Sequence, residues 1–236
     1  MIYISVISHG NIDEVNSLIS NMDAKIDNKE NIHLIITNNL KDDRREIKVK
    51  NIKATLLINE NIRGFSENHN AAFNFFKKKS GDIFFVLNPD VVINKFDAEK
   101  IQQLIMNDSE QIIYSPKNIY YNCNHEQKKT KYPLTFGSSW NWCGNKNIEW
   151  VSGEAMIFSV ETYRRLNGFD PKFHLYVEDV DLCLRNRKLG GRIEIIDQIE
   201  IFHEGRRLSH RSLKYFKMHI FSSLKFYVKL IKGAYR

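Results

Sequence analysis

Short unbroken apolar runs alternate with stretches of helical period along the first 90 residues. YISVIS (3 to 8) has the character of a strand buried on both faces of a parallel sheet. NIDEVNSLISNM follows, with Val15, Leu18, Ile19 and Met22 at helical spacing behind Asn11 or Asp13 as N-cap. IHLIIT (32 to 37), ATLLIN (54 to 59) and DIFFVLN (82 to 88) repeat the strand pattern, and between the last two the chain turns through Gly64 into a helix from about Ser66. The alternation predicts an α/β fold, a mostly parallel twisted sheet flanked by helices. Ligands bind such sheets at the carboxyl ends of the strands. Ser8 to Gly10, Thr37 to Asn39, Asn59 to Gly64 and Asn88 to Asp90 stand there, and they are polar, small or turn-forming.

Farther on, residues 115 to 149 lack a clear period and read as a loop or a hairpin-bearing insertion. AMIF then reads as a strand, the stretch around Tyr163 and Leu166 as a helix, and RIEIIDQIEIF as another strand. From Arg211 the period is helical again. Leu213, Phe216, Ile220, Leu224, Tyr227 and Ile231 fall within roughly an 80° arc, with Lys214, Lys217, Lys225, Lys229 and Lys232 to one side. Such a helix either packs on the domain through its apolar stripe or lies on an anionic membrane leaflet. Phe221, Phe226 and Val228 outside the stripe, and the absence of balancing acids, favour the leaflet. The expected division is a domain over 1–210 and a basic amphipathic helix over 211–236.

A chain of 236 residues with 42% hydrophobic content and four prolines suits one compact globular unit. Cys123, Cys143 and Cys183 are odd in number and lack a metal-ligand rhythm, which suits a reducing cytoplasm. The opening MIYISVIS has no basic leader and reads as a strand, and no apolar run is long enough to span a membrane. The net charge of +7 is unevenly placed: nine basic and no acidic residues follow Glu204, leaving residues 1 to 204 with 26 basic and 28 acidic side chains. That near-neutral body argues against a nucleic-acid-binding module.

Three clusters carry candidate chemistry. In VLNPDVVI, Pro89 ends the strand ladder and turns Asp90 out at the carboxyl edge, where it can hold a hard cation or simply form an Asx-Pro turn. In YVEDVDLCLR, Asp181 and Arg185 make an i,i+4 pair, and the macrodipole accounts for acid in a first turn. It accounts less well for adjacent Glu178 and Asp179, whose repulsion raises one pKa toward general-base behaviour. In IFHEGRRLSH, His203 is a ligand or a structural residue, and Arg206 and Arg207 a phosphate clamp or surface charge.

The ordered set ISVISHG, LIITNN, NIRGFSENHNAAF, LNPDVVI, WVSGEAMIFSVETYRRLNGFD, FHLYVEDVDLCLRNRKLGG and IFHEGRRLS resembles the inverting glycosyltransferases of family 2, with a GT-A fold. It is most similar to bacterial rhamnosyltransferases of O-antigen and other surface polysaccharide assembly. The resemblance implies that Ser8, His9 and Asn38 hold the nucleoside, and that Gly64, Phe65, Asn68 and Asn70 line its diphosphate side. It puts Asn88 and Asp90 at the family's DxD metal motif, with His203 able to approach the metal or diphosphate and Arg206 assisting. Asp179 becomes the catalytic base, with Glu178, Trp150, Ser152 and Gly153 near the acceptor. Implied cofactor and partners are Mg²⁺ or Mn²⁺, a nucleotide-sugar donor (dTDP-L-rhamnose, or a UDP-hexose on the same scaffold), and a saccharide acceptor carried on a polyprenyl diphosphate. No nucleic acid is implied, and the place is the cytoplasmic face of the cell membrane. A protein that binds sugar nucleotide without turnover is the alternative. Two departures are Asn38, where relatives carry Asp, and Asn88, which leaves the DxD with one carboxylate.

Overall fold

The computed structural model describes residues 1–43, 45–106, 110–119, 150–203 and 212–235. In chain order the elements are β1 (Ile2–Ser8), α1 (Ile12–Lys25), β2 (Ile32–Asn38), β3 (Lys53–Ile58), α2 (Phe65–Phe75), β4 (Ile83–Leu87) and β5 (Val92–Phe96). There follow α3 (Ala98–Met106), β6 (Ile112–Asn118), β7 (Ala155–Ser159), α4 (Val160–Arg165), α5 (Glu178–Lys188), β8 (Arg192–Phe202) and α6 (Leu213–Ile231). The eight strands among the described residues form one sheet in the order β3-β2-β1-β4-β7-β6-β8-β5. Six strands point one way. β7 runs against β4 and β6, and β5 runs against β8, so the sheet is mixed.

Alternation along β4 explains why its sequence is apolar without a break. Ile83, Phe85 and Leu87 pack in a core with Val15, Leu18 and Met22 of α1, while Phe84 and Val86 face Phe73 of α2, Tyr163 of α4 and Leu182 of α5. A strand with helices on both faces has no polar side. The chain begins in the middle of the sheet, builds outward through β2 and β3, then returns to place β4 on the other flank of β1. That reversal is a topological switch point, where the diverging connections open a crevice beyond the carboxyl ends of β1 and β4.

Residues 115–118, expected in an irregular stretch, belong to β6, and 120–149 lie outside the described residues. β5 and α3 were not expected from the pattern. The C-terminal helix is present, but of its apolar arc only Tyr227 packs against a buried cluster and Ile220 is half-buried. Ser222, Ser223 and Phe226 are buried instead, while Leu213, Phe216, Leu224 and Ile231 face outward.

Candidate functional site

Two consecutive left-handed residues, Tyr176 (φ 72°) and Val177 (φ 71°), immediately precede Glu178. A β-branched residue in this region is strained by about 1–3 kcal/mol. Packing holds it there: Phe173, Val177 and Val180 share a buried cluster with Phe226 of α6, and Ser222 Oγ donates to the Leu175 carbonyl (2.8 Å). The turn aims the start of α5 into a cavity of about 460 Å³ at the carboxyl edge of the sheet. Asp179 and Glu178 line it together with Trp150, Ser152 and Gly153, so the expected base and acceptor residues share one cavity. Another cavity of about 420 Å³, beside Ser80, Gly81 and Gln111, lies at the opposite edge, before β4 and β6 begin.

One oxygen of Asp179 accepts the Gly153 N–H (2.9 Å) and the other accepts the Val180 N–H (2.8 Å). Burial raises its pKa above the ordinary aspartate value, and the two backbone donors oppose that rise. Glu178 is only 6% exposed, and its Oε2 has no hydrogen-bond partner among the described residues. Burial, and then the neighbouring Asp179, pushes its pKa well above the glutamate value. Of the two, Asp179 is the better supported as a carboxylate, because it has the two backbone donors and the Glu178 Oε2 has none among the described residues. Asp181 does a different job. Wholly buried, it takes Arg185 Nε (2.8 Å), Lys229 Nζ and the Tyr235 hydroxyl (2.6 Å), and Arg185 also donates to the carbonyls of Leu166 and Gly168.

Asp90 and His203 meet on the same edge, just beyond β4 and β8. His203 Nε2 lies 3.4 Å from Asp90 Oδ1, and its Nδ1 lies 2.6 Å from Glu154 Oε2. Asn118 Nδ2 donates to Glu154 Oε1 (3.0 Å) and to the His203 carbonyl (3.2 Å), fixing both. Burial acts to lower the His203 pKa, but hydrogen bonds and charge from Asp90 and Glu154 overcome it and carry the ring up to about 10. Among the described residues no group of three or more side chains could hold a metal ion. Asp90 offers a cation one carboxylate, and His203 would add a ring nitrogen only on giving up its proton, so most of the shell of a bound Mg²⁺ or Mn²⁺ would come from substrate phosphates and water. Asn88 lines the cavity, and its N–H donates to the Glu154 carbonyl (2.8 Å). Glu154 touches both halves of the site. Its only signal in the sequence is an acid heading an otherwise apolar strand.

At the ends of β1 and β2, the buried hydroxyls of Ser8 and Thr37 have no hydrogen-bond partner among the described residues. Asn38 is engaged within its own turn, donating to the Asp43 carbonyl (2.9 Å) and accepting the Leu40 N–H (3.2 Å). An amide network was not foreseen: Asn59 Nδ2 donates to Asn39 Oδ1 (2.8 Å) and Asn68 Oδ1 (2.6 Å), and Asn39 also accepts the Arg63 N–H (2.9 Å). It sets the turn into α2. Gly64 is required there because a Cβ would stand 2.6 Å from the His174 carbonyl oxygen. His9 is held below its ordinary pKa by burial and then by the nearby charges of Lys214 and His174. Phe65 lines the cavity, whereas the Asn70 amide is spent on Tyr163 and on Phe169. Arg206 lies outside the described residues. His219 of α6 completes the cavity wall, its ring 5.2 Å from that of Tyr176, a contribution the distant sequence position concealed.

A family described as the N-terminal domain of galactosyltransferase matches residues 141–211, a span that includes Trp150 to Glu154, Asp179 and His203. The rhamnosyltransferase WbbL of Escherichia coli (strain K12) is 26% identical over 250 residues, covering 96% of this chain and 92% of that protein. A structure of GalNAc-T7 with UDP, GalNAc and Mn²⁺ superposes with a TM-score of 0.62 at 12% identity, covering 86% of this chain and 43% of that one. The mannosyltransferase PcManGT of Pyrobaculum calidifontis, in complex with GDP-Man and Mn²⁺, gives 0.60 at 12% identity, over 95% of this chain and 64% of that one. The chain thus spans less than two thirds of either solved structure. The chain has the fold of these GT-A structures, and it is similar in sequence to the rhamnosyltransferase WbbL along nearly its whole length.

Proposed function

We propose that the chain is an inverting glycosyltransferase that moves a sugar from a nucleotide-sugar donor, dTDP-L-rhamnose, to a saccharide acceptor in bacterial surface polysaccharide synthesis. One observation carries the reading: a single cavity at the switch-point edge presents Asp179 as a supported carboxylate, while Glu154, which lines the same cavity, is bonded to the Asp90–His203 pair. In that geometry Asp179 takes the proton of an acceptor hydroxyl as its oxygen attacks the anomeric carbon. The bond from that carbon to the diphosphate breaks with inversion, and the nucleoside diphosphate leaves with the electron pair. Bound Mg²⁺ or Mn²⁺ would supply positive charge for the departing diphosphate. Asp90 and His203 would hold it. Ser8, His9 and the Asn38 turn receive the nucleoside, and the unpartnered hydroxyls of Ser8 and Thr37 are available to it.

The rhamnosyl donor rests on the likeness to WbbL. UDP in the GalNAc-T7 structure keeps a UDP-hexose as the second reading. No helix among the described residues is long and apolar enough to cross a membrane. The resemblance puts the enzyme on the cytoplasmic leaflet, where an acceptor carried on polyprenyl diphosphate would be met. A hydrolysis and transfer screen over dTDP-, UDP- and GDP-sugars, with and without Mn²⁺, tests the donor and the metal together. Turnover of dTDP-L-rhamnose alone, enhanced by Mn²⁺, is expected; binding of a nucleotide sugar with no turnover of any would overturn the reading.

A further inference from the structure

α6 has two faces, and the one turned outward is the more apolar. Ser222 and Ser223 let the helix approach the domain closely, with Phe226 buried one turn later and Lys229 paired inward to Asp170 (2.8 Å) and Asp181. On the opposite side Leu213 and Ile231 are each 79% exposed, Phe221 63%, Leu224 56%, and Phe216 and Val228 each 50%. Isolated exposed apolar residues need no explanation; six on one side of a 19-residue helix do. Lys214, Lys217, Lys225 and Lys232 are exposed beside them, and no acidic residue occurs from 212 to 235.

We infer that this outward face of α6 is a docking surface for an anionic lipid leaflet, and that it seats the mouth of the catalytic cavity against the membrane. Charge selects the occupant. A second copy meeting the same face would set four lysines against four with no acid to compensate, whereas a leaflet of anionic headgroups satisfies the lysines as its acyl boundary takes the apolar side chains. The inner edge of the same helix supplies His219 to the cavity wall. A membrane against the outer face then lies about one helix diameter, roughly 10 Å, from the site of transfer. The first sugars of a lipid-anchored acceptor would span that gap. The lipid contact stands on the helix alone; only its service to the acceptor rests on the reaction proposed above.

Removing the helix is a poor test, because it would strip Phe226 from Phe173, Val177 and Val180 and take Lys229 from the buried Asp181. Surface substitutions on the full chain avoid this. Flotation is measured with vesicles of phosphatidylcholine containing phosphatidylglycerol and with phosphatidylcholine alone, for the wild type, Lys217→Glu/Lys232→Glu and Phe221→Ser/Leu224→Ser. The wild type is expected on anionic vesicles and to fall away with added salt. At about fivefold per lysine, the charge pair loses at least roughly 25-fold. The apolar pair weakens on both vesicle types. Both variants are expected to keep wild-type transfer to a soluble acceptor. Wild type that ignores anionic vesicles, variants that float like wild type, or a wild-type dimer that either variant converts to monomer would each overturn the inference. Lipid binding without sugar transfer by the wild type would instead sink the catalytic reading and leave the docking surface standing.

Discussion

Asp179 and Glu178 are adjacent in the chain, yet their surroundings divide the work between them. Two backbone donors steady Asp179, while the Glu178 Oε2 is buried with no hydrogen-bond partner among the described residues. The active base must be ionised, and its folded pKa is raised, so activity is lost as pH falls through that raised value. The acid limb of kcat/KM is therefore expected above the ordinary aspartate range near 4; a limb at or below that value in a pH profile would contradict the assignment. Gly153 provides a second check. A Cβ there would lie 3.3 Å from the Phe65 ring and 3.6 Å from Asp179 Cβ. Gly153→Ala is expected to displace the carboxylate slightly and lower kcat roughly tenfold, with donor affinity and melting temperature nearly unchanged. The sequence carries Asp179 and Trp150 to Gly153 plainly, because short motifs hold them. Glu154 and the Asn39–Asn59–Asn68 network escape it, since their meaning lies in partners 9 to 49 residues away.

At the scale of elements, α5 and α6 are joined through Asp181, which is wholly buried and met by Arg185, Lys229 and Tyr235. Removing one partner of such a cluster leaves buried charge uncompensated, so Asp181→Ala is expected to cost about 3–5 kcal/mol in denaturant unfolding. Asp181→Asn, which keeps the shape, is expected to lose less. Equal losses would show that charge matters little there. β1, β2 and β4 are legible because burial on both faces demands an unbroken apolar run. β5 was missed because its pattern is that of an edge strand, with Val92, Asn94 and Lys95 exposed. The C-terminal helix is legible as a helix, but the face that docks it is not: Ser222, Ser223 and Phe226 lie outside the apolar arc, and close approach through two small serines leaves no hydrophobic period to read.

For the whole molecule, the order of strands gathers residues from Ser8 to His203 onto one edge of a single sheet. The basic tail caps that edge, with Lys214 near His9 and His219 in the cavity. On the proposed reading a donor would bridge β1, β2 and the Asp90 side. Thermal scans are expected to show a larger stabilisation by dTDP and Mn²⁺ together than by the sum of each alone; simple additivity would place the two in separate sites. The central claim rests on Asp179, and Asp179→Asn tests it most directly, with donor affinity by calorimetry and turnover measured on the same preparation. The account predicts donor affinity within about threefold of wild type and a kcat lower by on the order of 10²–10⁴. A variant that binds donor and still turns over at a wild-type rate would contradict it.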